Sequence, residues 1–302
     1  MSKRKIILLT ACVLLLGIYI AQLASSLRSS VKNKTLGADP DKLTIENASA
    51  VIELAKSDDG WTVGEKRYKA DTNTIDGLVN AVKNIRVLDT VAQAGNDTVD
   101  ERYEIDKANA IVVKAYKGNE LVRTLTIGKT SSTGSQSYVT LDGKKDIYLV
   151  SGTLRDTFKK DVAALRSKVV YAVDTSDLTA VSESMGSTVL SIVKSGDPAA
   201  WTATGGAASV DAEKASNWAA SLAALNADSW LDDDFVLPSA SESVTVITAG
   251  GNAITVSVYK EGDGDDAKYY GTCSETPYKF ALSLYSAGKY LKTAADISAK
   301  QQ

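Results

Sequence analysis

Histidine is absent from all 302 residues, which removes the commonest general base and the commonest metal ligand. Cysteine is almost as scarce. Of Cys12 and Cys273, the first lies inside an uncharged apolar run, so the rest of the chain closes no internal disulfide and draws its stability from packing. Catalysis would fall to carboxylates, Lys, Tyr, Ser or Cys273, and Cys273 stands between Thr272 and Ser274 with no imidazole to activate it. Positive charge is thin in the body of the chain. Residues 1–34 hold six basic residues and no acid, which leaves 28 of the 34 basic residues against all 37 acidic ones, a balance of −9. No basic stripe of the kind that tracks a phosphate backbone is present, so nucleic acid is excluded as a partner.

What the chain does have is core material and an apolar N-terminal run. Hydrophobic residues make up 44% and charged residues 24%, a globular composition, and the length suits two domains. Residues 6–23 carry no charge; eighteen residues at about 1.5 Å each span about 27 Å, and extension to Leu27 matches a bilayer core of about 30 Å. A transmembrane helix with the lipid bilayer as partner is therefore expected over residues 6–27. A cleaved signal peptide fits less well, because a cut after Ala24 puts Gln22 at −3. Leu9-Thr10-Ala11-Cys12 resembles a lipobox, but the apolar run continues past it. Lys3, Arg4 and Lys5 on one side nearly balance Arg28, Lys32 and Lys34 on the other. The short basic tail ahead of the run places residues 28–302 outside a single-pass membrane protein.

The remainder reads as two copies of one unit. Val51-Ile52-Glu53-Leu54-Ala55-Lys56-Ser57 recurs as Val189-Leu190-Ser191-Ile192-Val193-Lys194-Ser195, each followed by a tryptophan, Trp61 and Trp201. Ten residues past each tryptophan stands an aspartate, Asp71 and Asp211, ahead of a helical stripe. The stripe is Ile75, Leu78, Val79, Val82 and Ile85 in the first copy and Ala215, Trp218, Ala219, Leu222 and Leu225 in the second, an offset of 140 throughout. Both aspartates suit helix N-caps. Past the helix the copies realign at an offset of 131, the first carrying about nine extra residues around 89–107. Strands and glycine turns follow in the same order: Lys117-Gly118-Asn119 answers to Gly250-Gly251-Asn252, Tyr138-Val139 to Tyr269-Tyr270. A closing helix over residues 153–166 is predicted from Leu154, Phe158, Val162 and Leu165.

Each motif with a chemical ring to it fails at a position its chemistry needs. Gly128-Lys129-Thr130 lacks the glycine of a phosphate loop five residues earlier, where Arg123 stands. Glu261-Gly262-Asp263-Gly264-Asp265-Asp266 alternates acids like a calcium loop but has Asp266 at position six and Thr272 at position twelve. It reads as a hairpin tip, and Asp232-Asp233-Asp234 as a linker. Trp61 and Trp201 read as core anchors. No catalytic, cofactor-binding or metal-ligating residue is nominated, and no cofactor is expected.

Trp61-Thr62-Val63, Ala70-Asp71, Leu125-Thr126-Ile127-Gly128-Lys129, Tyr138-Val139, Ile147-Tyr148-Leu149-Val150 and Leu165-Arg166-Ser167-Lys168 together resemble the bacterial family of domain of unknown function 4340. The likeness covers residues 45–168 well and the second copy more loosely, which reads Val258-Tyr259-Lys260 where the first has Ile127-Gly128-Lys129. It implies a single-pass, membrane-anchored protein, associated with accessory components of ABC transport systems of the gliding-motility type, and supplies no catalytic residues. The expected fold class is α+β: an N-terminal transmembrane helix, then two diverged repeats, each a mainly antiparallel sheet covered by an amphipathic helix. The expected segments are 1–34 for tail, anchor and juxtamembrane stretch, 35–168 for the first repeat and 169–302 for the second. The expected function is a non-enzymatic, extracytoplasmic accessory or scaffold protein at the cell membrane, with ABC transporter subunits as partners. A cell-envelope glycan- or peptide-binding module is the alternative, and a carboxylate-dependent hydrolase the third.

Overall fold

A computed structural model describes residues 14–19, 31–204 and 210–298. The expected α+β class with a membrane-spanning helix is not what it contains. The body is mostly antiparallel sheet, and no helix among the described residues is long and apolar enough to cross a membrane. Of the anticipated span 6–27, residues 14–19 are helical and exposed, about 9 Å of helix at 1.5 Å per residue; the rest of that span lies outside the described residues.

The chain divides into two compact units at Ser167 and Lys168. Unit 1 opens with β1 (Lys32–Thr35), β2 (Lys42–Glu46), β3 (Val51–Ser57), β4 (Gly60–Val63) and β5 (Tyr68–Lys69), then α1 (Thr72–Lys83). It continues through β6 (Asn84–Gln93), α2 (Asp97–Tyr103), β7 (Ile111–Lys117), β8 (Glu120–Thr130), β9 (Gln136–Leu141) and β10 (Asp146–Ser151), and closes with α3 (Leu154–Phe158) and α4 (Val162–Leu165). Its ten strands lie in the order β1-β6-β10-β9-β8-β7-β2-β3-β4-β5. Unit 2 runs β11 (Val169–Ala172), β12 (Leu178–Met185), β13 (Thr188–Ser195), β14 (Ala200–Thr204), α5 (Ala212–Ser221), β15 (Ala224–Asn226) and β16 (Ser229–Trp230). Then come β17 (Ser243–Ala249), β18 (Asn252–Glu261), β19 (Lys268–Cys273), β20 (Thr276–Leu282), α6 (Leu284–Ala287) and α7 (Ala294–Ile297). Its large sheet is ordered β16-β20-β19-β18-β17-β12-β13-β14, with β11 and β15 paired beside it. The long β6 of unit 1 thus corresponds to two short strands, β15 and β16.

Strict alternation builds these sheets. Along β7 and β17 every second side chain is buried, which puts one apolar face under cover. The cover is α1 in unit 1, burying Ile75, Leu78 and Val82, and α5 in unit 2, burying Ala215, Trp218 and Ala219. Burial of Ile75, Leu78 and Val82 contributes about 1.5–3 kcal/mol each, and the alanines of the unit 2 helix contribute less. The Asp71 carboxylate accepts from Thr74 N–H at 2.8 Å, and that of Asp211 from Glu213 and Lys214 N–H at 3.0 Å. Their own amides donate to the closing segments, Asp71 to Leu165 O and Asp211 to Ile297 O, both at 2.9 Å. The far end of α1 is held by Arg123 of β8, buried to 6% exposure. Its guanidinium donates to Val82 O at 2.9 Å and to Lys34 O at 3.0 Å, a cation where the helix leaves carbonyls unpaired.

Ile85 and Leu225, counted above in the helical stripes, are buried strand residues of β6 and β15. The helix in unit 1 gives way at Asn84, and the apolar spacing continues into the strand with period two, which a stripe count absorbs as one more turn. The closing segment is two helices instead of one. Lys159 and Lys160 break it and Asp161 caps a new start, accepting from Ala164 N–H at 2.7 Å. The extra residues of unit 1 extend β6 and form α2. Gly250 and Gly251 carry φ of 55° and 83°, the left-handed pair that a two-residue hairpin loop requires.

Replacing Asp71 or Asp211 by Ala should lower the unfolding free energy by about 1 kcal/mol in each case. Urea titrations with an unchanged slope and a lower midpoint would register this; an unmoved midpoint would count against the capping role.

Candidate functional site

The residues singled out by sequence scatter over the structure instead of converging. Trp61 and Trp201 are buried in the cores of their own units. Gly128 lies within β8, where an added Cβ would stand 2.1 Å from the carbonyl oxygen of Tyr103; the glycine admits the end of α2. The acidic tip between β18 and β19 is occupied with neighbours: the Tyr270 hydroxyl donates to Glu261 Oε2 at 2.6 Å, and Lys260 pairs with Asp263 at 2.9 Å. Among the described residues no group of three or more acids or cysteines is placed to hold a metal ion. Cys273 is buried in the unit 2 core, and burial pushes its thiol up, away from the thiolate that a nucleophile needs.

Besides a smaller cleft of about 330 Å³ in unit 1 lined by Lys32, Lys34, Asp89, Asp146 and Tyr148, each unit holds one larger cleft. The cleft of unit 1, about 660 Å³, lies where three chain segments meet: the β2–β3 hairpin (residues 47–52), the approach to β7 (residues 108–111) and the closing segment (Arg155 and residues 159–163). Small side chains leave it open, Ala48, Ala50, Ala110 and Ala163 among them, over a floor that includes Ile52 and Ile111. The hairpin wall is held by Asn47, whose Oδ1 accepts from Ser49 N–H at 2.9 Å and Ala50 N–H at 3.0 Å. Arg155 ties the other two walls together, donating to Gly128 O and Asn109 O at 3.0 Å and pairing with Glu104 at 3.4 Å. Asp161 is the carboxylate lining this cleft, and it serves as the α4 cap. Lys159 and Lys160 face the cleft and form no ion pair among the described residues. None of the lining side chains is aromatic.

The cleft of unit 2, about 510 Å³, has a different character. Trp218, Tyr285, Lys214, Lys289, Lys292 and Asp296 line it. Trp218 Nε1 donates to Lys289 O at 3.0 Å, Lys214 to Ser298 O at 2.9 Å, and the Lys289 ammonium stands 5.1 Å from the Tyr285 ring centre. Leu284 and Tyr285 beside it are 72% and 79% exposed. Asp296 is held below the usual carboxylate range by the backbone and side chain of Thr293.

Asp161 and Asp296, the carboxylates of the 660 and 510 Å³ clefts, are both engaged at helix N-termini. Arg155, Lys159 and Lys160 were not nominated from sequence, since nothing in their spacing brings residues 47–52, 108–111 and 155–163 together. A family model for a domain of unknown function, DUF4340, matches residues 61–243, more than half of the chain and running from β4 of unit 1 to the start of β17 in unit 2. No curated protein and no solved structure matches the chain.

With Cys12 replaced by Ala, Cys273 should react with a thiol reagent at least about tenfold more slowly in the folded protein than in urea, as burial and a raised thiol pKa require. Equal rates in the two states would contradict the buried assignment.

Proposed function

The chain belongs to the DUF4340 family, and from that premise we propose that it acts by contact and not by catalysis. It is an extracytoplasmic accessory or scaffold protein at the cell membrane whose unit 1 cleft receives a peptide segment of a neighbouring subunit, an ABC-type transporter of the gliding-motility kind being the partner that the family resemblance suggests. The observation that carries the contact reading is the cleft itself: an apolar floor, two ammonium groups at its rim that form no ion pair among the described residues, and a carboxylate already used as a cap. Its volume falls in the range of ligand-binding clefts. A peptide is favoured over a glycan because sugar rings rest on exposed aromatic faces, and this cleft has none. The outside location rests on the shortness of the basic tail ahead of the uncharged run at residues 6–23, the charges on its two sides being nearly balanced.

Gentle solubilisation of the full-length protein should recover transporter subunits. Reversing both rim charges, Lys159→Glu with Lys160→Glu, should reduce that recovery about tenfold, or about 1.4 kcal/mol, while leaving the melting temperature in place. Recovery unaffected by the reversal would remove the cleft from the interface. Turnover of a glycan or peptide abolished by one carboxylate substitution would replace the contact reading with a hydrolase.

A further inference from the structure

Strand register matches positions between the units residue by residue. In unit 1, Ile45 of β2 stands opposite Ile52 of β3 and Val113 of β7. In unit 2, Glu183 of β12 stands opposite Leu190 of β13 and Thr245 of β17. Ile45 and Val113 are fully buried, and Glu183 and Thr245 are buried as deeply, at 1% and 0% exposure. Two residues before Val113 lies buried Ile111; two residues before Thr245 lies buried Ser243. One fold therefore builds the same patch of core from aliphatic side chains in one unit and from a carboxyl and two hydroxyls in the other. The aliphatic set suffices for the architecture, and burying a carboxyl is costly, so the polar set has another task.

That task is visible in what it grips. Residues 288–298 form a strap that follows α6 and walls the unit 2 cleft through Gly288, Lys289, Lys292 and Asp296. Ser243 Oγ donates to Tyr290 O, Glu183 Oε1 accepts from Lys292 N–H at 2.7 Å, and Trp218 donates to Lys289 O. Three side chains from β17, β12 and α5 thus hold a stretch of four strap residues. Tyr290 is engaged by its hydroxyl as well, 2.7 Å from that of Tyr171. The charged groups facing Glu183 are Lys292 and Asp296, both on the strap side, while Leu190 and Thr245 flank it in the sheet. Glu183 Oε2 and Thr245 Oγ1 have no hydrogen-bond partner among the described residues.

We propose that Glu183 is a proton-held latch: neutral, it fastens the strap that walls the unit 2 cleft, and ionised, it lets the strap go. A neutral carboxyl keeps the Lys292 N–H on Oε1 and leaves no charge at the buried Oε2. A carboxylate confines a charge there with the Lys292 N–H on Oε1 and no donor on Oε2 among the described residues, and releasing residues 288–298 is what brings water to it. Burial pushes Glu183 up to about 8 from an ordinary value of 4.5, the Lys292 amide and ammonium opposing the shift. Because the value with the strap closed lies above the value with it open, the latch is fully set below about 4.5 and is progressively lost as pH rises to about 8.

Amide hydrogen exchange on the full chain, corrected for intrinsic rates and read against residues 75–82 of α1, tests this. Protection of residues 288–298 should fall by up to about tenfold per pH unit between pH 5 and 8 and level off above it. Glu183→Gln, which stays neutral, should remove the pH dependence. The pair Glu183→Ile with Thr245→Val, which installs the unit 1 residues, should also be independent of pH and serves if the Gln variant folds poorly. Flat wild-type protection, or a slope retained in both variants, would overturn the latch.

Discussion

Each unit has one amphipathic helix with which to cover the apolar face of a long antiparallel sheet, and that constraint organises everything else. α1 is 12 residues long and α5 is 10, about 18 Å and 15 Å at 1.5 Å per residue, while the sheets run to ten and eight strands. A helix of that length covers only part of such a face, and the closing segment has to cover more of it. Leu154, Phe158 and Leu165 do so in unit 1, Tyr290 and Ile297 in unit 2. The two covers are joined by one repeated backbone bond, from the amide of the capping aspartate to the carbonyl of Leu165 or Ile297. Cap and cover are therefore set together. In unit 1 Arg123 fixes the other end of the helix, so its position over the sheet is determined at both termini.

Legibility in the sequence follows from how local the physics is. The caps were readable because an aspartate ahead of a helical stripe accepts from amides two or three residues on, and Asp71 and Asp211 each do. The hairpin at Gly250-Gly251 was readable for the same reason. Ile85 and Leu225 misled because a buried residue entering a strand obeys the helical spacing for one more step. The absence of a break at Lys159-Lys160 was misjudged because two lysines can stay in a helix when nothing caps afresh; here Asp161 does.

The clefts lie beyond such reading. In unit 1 the walls come from segments more than forty residues apart, and the opening exists because several of their side chains are small. Small apolar residues carry no distinctive pattern. Two buried charges did leave a trace, however. Arg123 shares its parity with Leu125 and Ile127, and Glu183 shares its parity with Val181, so alternation assigns both to the core face. A charged residue at a core parity position is the sequence signature of a buried polar contact, and each of these makes one: Arg123 with a helix end, Glu183 with a strap.

Comparison of Lys160 with Lys292 shows how one fold accommodates two uses. Each lysine immediately precedes the residue that caps the last helix of its unit, Asp161 and Thr293. The amide of Lys292 reaches across to the carboxyl of Glu183 and draws the strap onto β12. In unit 1 the corresponding strand position is Ile45, which has nothing to accept a hydrogen bond, and the amide of Lys160 turns back to Phe158 O at 2.9 Å. With no such tie to β2, the closing segment of unit 1 borders a cleft that Lys159 and Lys160 line. Exchange of side-chain type at three buried positions, Ile45, Ile111 and Val113 against Glu183, Ser243 and Thr245, thus accompanies the difference between the two closing segments, with the seven strands from β10 to β4 and from β20 to β14 in the same order.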